Sequence, residues 1–302
     1  MNTSSAAPQY SEHIIPSAGT QIVLSVWEPE KPQAVIVFIP ATMVHPLFYE
    51  TLLADFAENG FAVVGVHPVG HGKSPRGVKR YTLRSIVQNA RDAVSFSQHR
   101  YALPIIAMGS SQGGIAAAAL AAEDTRLAAA FPHNAMLSEL PESVGVSRFP
   151  KWFRHIYRPI KGAFRLLARI IPDAGLPLGF YLDRSRISRN PELWNAISRD
   201  PLFLNKYSLH FLASLFTTVF PGLTDGSIRC PVYLISDIGD ELFTPAYTQL
   251  VFDRLRAPHK ELIKLDLGGH MLMAEQPNGV CAALVPKMCE ALGLAQITST
   301  VN

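Results

Sequence analysis

The chain has 302 residues, 48% of them hydrophobic and 17% charged, with a formal net charge of +3. That balance excludes a disordered chain, and so small a charge gives no reason to expect a nucleic-acid partner, which needs a dense basic face. Cys230, Cys281 and Cys289 share no regular spacing, which argues against a disulfide framework and fits a reducing compartment.

Residues 1–10 are small and polar and lack the charged start and apolar stretch of a secretory signal. No window reaches 18 uninterrupted apolar residues, so a membrane span is not expected and the reading is a cytoplasmic protein. From residue 21 onward, short apolar runs alternate with amphipathic ones. Residues 34–39 (AVIVFI), 61–66 (FAVVGV), 104–108 (PIIAM) and 127–131 (LAAAF) read as strands, with helical patterns at 46–59, 83–99 and 112–122. Strands apolar on both faces belong to a parallel sheet covered by helices, so the fold class is α/β, doubly wound and mostly parallel. The rhythm stops near residue 135 and resumes at Cys230 with strands at 232–236 (VYLIS) and 261–265 (ELIKL) and a closing helix at 280–292. The spacing therefore predicts a core built from 1–135 and 230–302, interrupted by an insertion over 136–229 with no convincing strand.

The insertion is basic: between Arg148 and Arg199 there are eleven Lys/Arg and three Asp/Glu. Phe149, Trp152, Phe153, Ile156, Ile160, Phe164 and Leu167 recur at about helical spacing, with Pro159 expected to break the run. One reading is a solvated helix face on a cap. The other is a cap that touches a lipid surface or guides an apolar substrate inward.

The strand at 104–108 runs into Gly109-Ser110-Ser111-Gln112-Gly113, a G-x-S-x-G pattern that opens an alanine-rich helix. A serine at so sharp a turn is held in a strained conformation with its hydroxyl above the sheet, and the flanking glycines leave room for close packing. The helix N-terminus adds a positive dipole where an oxyanion would form. A serine needs a base and an orienting acid to act as a nucleophile. Asp237 and Asp240 follow one later strand, and Gly268-Gly269-His270 follow the next, so all lie past strand C-termini, where open α/β sheets bind ligands. Asp240 is favoured over Asp237 as the acid because of its loop distance and the following Leu-Phe-Thr-Pro. Asp266 reads as a strand end or turn cap. No His-Glu-x-x-His, Cys-x-x-Cys or phosphate-loop spacing is present, so neither a metal nor a cofactor is expected.

On these residues the chain resembles the α/β-hydrolases, in the branch of monoacylglycerol lipases, lysophospholipases and serine aminopeptidase-like enzymes. The likeness extends to Tyr49-Glu50-Thr51-Leu52-Leu53, Glu58-Asn59-Gly60-Phe61, Gly70-His71-Gly72-Lys73-Ser74 and Asp200-Pro201-Leu202. It implies Ser111 as nucleophile, His270 as general base and then acid, Asp240 as orienter, and the backbone N–H groups of Thr42 and Gln112 as oxyanion donors. It also implies that the insertion is a lid. The chain departs from the family in having Pro40-Ala41-Thr42 where His-Gly is usual, and His67-Pro68-Val69-Gly70 where Asp-x-Arg-Gly is common. The expected activity is hydrolysis of a small-molecule or lipid-like carboxylic ester with an apolar moiety. The alternatives are an acyltransferase or thioester-releasing hydrolase, and a non-catalytic ligand-binding protein of the same fold.

Overall fold

The computed structural model describes residues 7–78 and 80–294. Eight strands make the central sheet: β1 (Gln9–Ser17), β2 (Thr20–Glu28), β3 (Ala34–Ile39), β4 (Phe61–His67), β5 (Ile105–Ser110), β6 (Ala129–His133), β9 (Val232–Asp237) and β10 (Lys260–Leu265). Their order across the sheet is β1-β2-β4-β3-β5-β6-β9-β10. β2 runs antiparallel to both β1 and β4, and the remaining pairs are parallel. The interior strands β3, β4, β5, β6 and β9 are buried along their whole length, which explains their unbroken apolar runs.

Helices cover both faces. On one, α2 (Leu83–Tyr101), α3 (Gln112–Glu123) and α9 (Pro245–Arg254) bury Ile86, Ala116 and Val251 against the sheet. On the other, α1 (Glu50–Glu58) and α11 (Pro277–Leu292) bury Leu52, Phe56, Leu284 and Met288. A short α10 (Leu272–Glu275) precedes α11. The start of α2 is fixed by reciprocal bonds between Thr82 and Ser85, each side chain accepting the other's backbone N–H.

Between β6 and β9 lie α4 (Tyr157–Ile170), α5 (Leu178–Tyr181), α6 (Arg184–Ile187), α7 (Pro191–Arg199) and α8 (Leu209–Thr217). This segment is not free of strands, as the sequence reading expected: β7 (Gly175–Pro177) and β8 (Lys206–Ser208) pair antiparallel. At three residues each they are too short to show a period. Pro159 does not interrupt the helical run either. It sits in the first turn of α4, where the N–H groups have no intrahelical partner, and the break comes earlier, where a 3₁₀ segment (Lys151–Ile156) gives way to α4.

The parallel register brings one sheet edge together. Ser110 of β5 lies opposite His133 of β6, His133 opposite Ile235 of β9, and Asp237 of β9 opposite Leu265 of β10. The residues that follow these strand ends are therefore neighbours.

Candidate active site

Ser111 occupies the single position between β5 and α3, with φ 53° and ψ −113°. A non-glycine residue in such a conformation costs on the order of 1–3 kcal/mol and persists only if its surroundings impose it. Here the Ser111 N–H donates to the His133 carbonyl at 2.9 Å, and the Ser111 carbonyl accepts the Ile115 N–H at 3.0 Å. Tight packing does the rest. A Cβ on Gly109 would overlap the Gly113 carbonyl, and one on Gly113 would overlap the Ile39 carbonyl, so the turn can close only with glycine at both places.

His270 and Asp240 arrive from the loops after β10 and β9. His270 Nε2 lies 2.9 Å from Ser111 Oγ, and His270 Nδ1 lies 2.9 Å from Asp240 Oδ2. All three residues are buried. Nδ1 faces a carboxylate, which only accepts, so it carries the hydrogen and leaves Nε2 free to accept the Ser111 proton. The other carboxylate oxygen of Asp240 accepts the Leu242 and Phe243 N–H groups, both at 2.8 Å. Burial pushes the Asp240 carboxyl up, but the adjacent His270 and the backbone donors outweigh it and hold the group ionised, below its ordinary range.

The competing acid has a different place. Asp237 Oδ1 accepts the N–H groups of Gly239 (2.8 Å) and Gly269 (2.9 Å), and its Oδ2 accepts that of Leu267 (2.7 Å). It binds the two loops together and does not face His270. Asp266 is exposed just past the end of β10.

Two neighbours were missed in the sequence. Asn134, at φ 66°, donates from Nδ2 to Asp240 Oδ2 at 3.0 Å. His133 is fully buried with its ring centroid 5.8 Å from that of His270, and burial pushes its pKa down to about 3. His133 ends β6 and Asn134 follows it, at the same edge as Ser111, and that position was the available signal. Phe243 stacks on the His270 imidazole, centroids 5.7 Å apart and planes 6° apart, which restricts the ring's tilt.

Thr42, Ser111 and Gln112 line one small pocket, with Ile115, Tyr181 and Phe216 among its other walls. The Thr42 hydroxyl lies 3.4 Å from Gln112 Oε1. The space beside Ser111 is about 20 Å³, room for one water-sized group. Beyond it, α4, α5 and α8 line an open-mouthed apolar cavity of about 430 Å³. Tyr181 and Phe216 line both spaces and stand between them, rings 6.1 Å apart in an edge-on arrangement. Among the described residues, no cluster of three or more His, Cys, Asp or Glu side chains is arranged to hold a metal ion, and no helix is long and apolar enough to cross a membrane.

The model of the family described as serine aminopeptidase, S33, matches residues 30–277. No curated protein matches the sequence. Among solved structures, the chain is similar to a monoacylglycerol lipase from Paleococcus ferrophilus (TM-score 0.71, 19% identity, covering 89% of this chain and 99% of that one). It is also similar to a soluble variant of monoglyceride lipase from Saccharomyces cerevisiae in complex with a substrate analogue (TM-score 0.73, 13% identity, 97% of each chain). A thermostable carboxyl esterase from Bacillus coagulans in complex with glycerol aligns as well (TM-score 0.71, 16% identity, 94% of this chain and 99% of that one). At these identities the likeness establishes the shared α/β-hydrolase fold.

Proposed function

The chain belongs to the serine aminopeptidase, S33, family of hydrolases, and from that premise we propose that it cleaves carboxylic esters bearing an apolar moiety through an acyl-enzyme on Ser111. The observation that carries this reading is the unbroken line from Asp240 through His270 to Ser111, with 2.9 Å at each step and the nucleophile held in a strained turn.

In this mechanism His270 Nε2 takes the Ser111 proton as Oγ attacks the ester carbonyl carbon. The carbonyl electron pair moves onto oxygen, which the Thr42 and Gln112 N–H groups stabilise. Collapse breaks the bond to the alcohol, which leaves with the proton from His270. Water then attacks the acyl-enzyme with His270 as base, releasing the acid and restoring Ser111. Asp240 keeps the useful tautomer and stabilises the charged imidazole. Asn134 supports Asp240 by its hydrogen bond to the same oxygen that His270 uses.

Residues 136–229 act in this reading as a cap on a core of 1–135 and 230–302, and the 430 Å³ apolar cavity inside the cap takes the hydrocarbon part of the substrate. The outer cap is a second support. Trp152, Ile156, Leu166, Leu167, Ile170 and Ile171 are all exposed, and Arg154, Arg158, Arg165 and Arg169 lie among them. Leu167 and Ile171 also line the cavity, so the patch meets its mouth. An apolar patch rimmed with cations suits contact with an anionic lipid surface.

The test is labelling with a fluorophosphonate beside a panel of esters of graded chain length. A Ser111-dependent adduct and turnover that Ser111→Ala abolishes without loss of fold are expected. Equal turnover in the variant would refute the assignment.

A further inference from the structure

Gly70-His71-Gly72 and Asp200-Pro201-Leu202 take no part in the acyl transfer just described, yet both converge on the segment that bears Thr42. The next residue, Met43, is fully buried and has φ 66°. An ordinary side chain in that left-handed region costs on the order of 1 kcal/mol or more and stays there only when its neighbours over-determine it. Those neighbours come from the segment between β6 and β9. The Met43 N–H donates to the Tyr207 hydroxyl oxygen at 2.8 Å, and the Met43 carbonyl accepts the Leu204 N–H at 3.0 Å. Two residues on, His45 Nε2 bonds Asp200 Oδ2 at 2.6 Å.

The Tyr207 hydroxyl is itself fixed. Having accepted from Met43, it has one proton to place, and His71 Nε2 lies 2.6 Å away. The direction follows from the far side of that imidazole. His71 Nδ1 faces the Val69 carbonyl at 2.9 Å, which can only accept, so Nδ1 carries the hydrogen and Nε2 is a bare acceptor. Tyr207 is entirely buried, its ring centroid 4.4 Å from that of Phe211 and 5.4 Å from that of His71. Neither partner of the hydroxyl is replaceable by solvent.

We propose that Tyr207 is a positioning residue for oxyanion stabilisation: its hydroxyl, oriented by His71, clamps the Met43 N–H and thereby holds the Thr42 N–H toward the Ser111 pocket. The proposal rests on the reading of Ser111 as nucleophile and Thr42 as donor. Its physical basis is the rigidity of peptide planes. The Tyr207 bond fixes the Thr42–Met43 peptide and the Leu204 bond fixes the Met43–Val44 peptide, so neither can flip. The Thr42 N–H is then connected to this fixed segment through only two rotations, ψ and φ of Thr42, and the Thr42 side chain already reaches Gln112. Donors must be set before the charge develops if they are to stabilise it fully, and this clamp sets one of them from the cap side.

Tyr207→Phe keeps the ring packing and deletes the clamp. Kinetics on a short-chain p-nitrophenyl ester are expected to show kcat lower by tenfold to about a hundredfold, since total loss of one oxyanion donor typically costs about a hundredfold or more. KM is expected to stay within about twofold. A trifluoromethyl ketone, which Ser111 converts to a tetrahedral oxyanion, should bind more weakly by the factor that kcat/KM falls. Its reduced carbinol, which forms no oxyanion, should bind as before. Fluorophosphonate titration and a melting curve give the concentration of folded sites, so partial unfolding cannot pass for the effect. An unchanged kcat per site would overturn the proposal, as would a fall in kcat with unchanged ketone affinity, or equal weakening of ketone and carbinol. A wild-type protein without turnover and without an adduct would overturn the underlying hydrolase reading first.

Discussion

Asp237 accepts the Gly269 N–H at 2.9 Å, so the residue immediately before His270 is tied to the loop that carries Asp240. Two carboxylates three residues apart thus divide the work: one sets the distance between the loops, the other faces the imidazole. Their variants should separate accordingly. Asp240→Asn is expected to keep its fold while kcat falls by thousands-fold, on the order of the loss seen when an amide reverses the imidazole tautomer in other triads. Asp237→Ala leaves the buried Gly269 N–H without its acceptor at about 1–3 kcal/mol and frees the more exposed Gly239 and Leu267 N–H groups to water, so urea denaturation should show a loss of about 1–3 kcal/mol or more. Similar stabilities for the two variants would contradict this division.

Phe216 and Tyr181 are the wall between the Ser111 pocket and the apolar cavity lined by α4, α5 and α8. Phe216→Ala should join the two spaces. In an ester series, kcat/KM for chains of ten or more carbons should rise relative to that for acetate by several-fold to tenfold, since each added methylene that reaches apolar surroundings is worth about 0.8 kcal/mol. An unchanged chain-length profile would place the hydrocarbon elsewhere.

Three buried histidines make the fold sensitive to acid. Burial lowers His67 to about 3, His71 to about 4 and His133 to about 3, from an ordinary value of 6.5. Nearby cationic or imidazole groups act in the same direction: His45 and Lys73 on His67, Arg76 and His45 on His71, and His270 on His133. A depressed folded-state value means that the unfolded chain binds protons the native one refuses. The resulting stability is complete above about pH 6.5 and is lost as pH falls toward the folded values, at about 1.4 kcal/mol per histidine for each unit. Urea denaturation at pH 7.5 and pH 5 should therefore differ by several kcal/mol. Asp240 acts in the same sense only below its ordinary value of 3.8. A flat stability profile over this range would show that these imidazoles titrate freely in the native protein.

The exposed apolar patch on α4 and the 3₁₀ segment before it predicts lipid binding. Sedimentation with vesicles containing phosphatidylglycerol should pull down the protein, and substituting serine for Trp152 and Ile170 together should weaken partitioning at least tenfold without changing turnover of a soluble short-chain ester. Equal partitioning of variant and wild type would remove this face from consideration.

The interior of the sheet was legible because strands covered on both faces must be apolar throughout, and residues 34–39 and 61–66 show just that. The edge pair β1 and β2 was not anticipated. β1 carries Gln9, Ser11, Glu12 and His13 and is only half covered, so its apolar signal is thin, and its pairing with β2 becomes visible only in three dimensions. Ser111, Asp240 and His270 could be singled out because each follows a recognisable strand end with turn residues around it. Asn134 shares that position, but the apolar run before it stops at Phe131, two residues short of the strand's end at His133. Tyr207 had no local signal at all. It lies 164 positions from Met43, on a strand of three residues, and its partners are set by how the chain returns over the sheet.

The backbone at Ser111 narrows what that site can become. With φ 53° and ψ −113°, a β-branched side chain would crowd its own peptide groups, so threonine, though it too offers a hydroxyl, is a poor substitute there. Glycine fits the same turn without strain, so the exchange that removes the hydroxyl is also one that the scaffold would welcome. On the proposed mechanism, stability and turnover therefore pull in opposite directions at this one position.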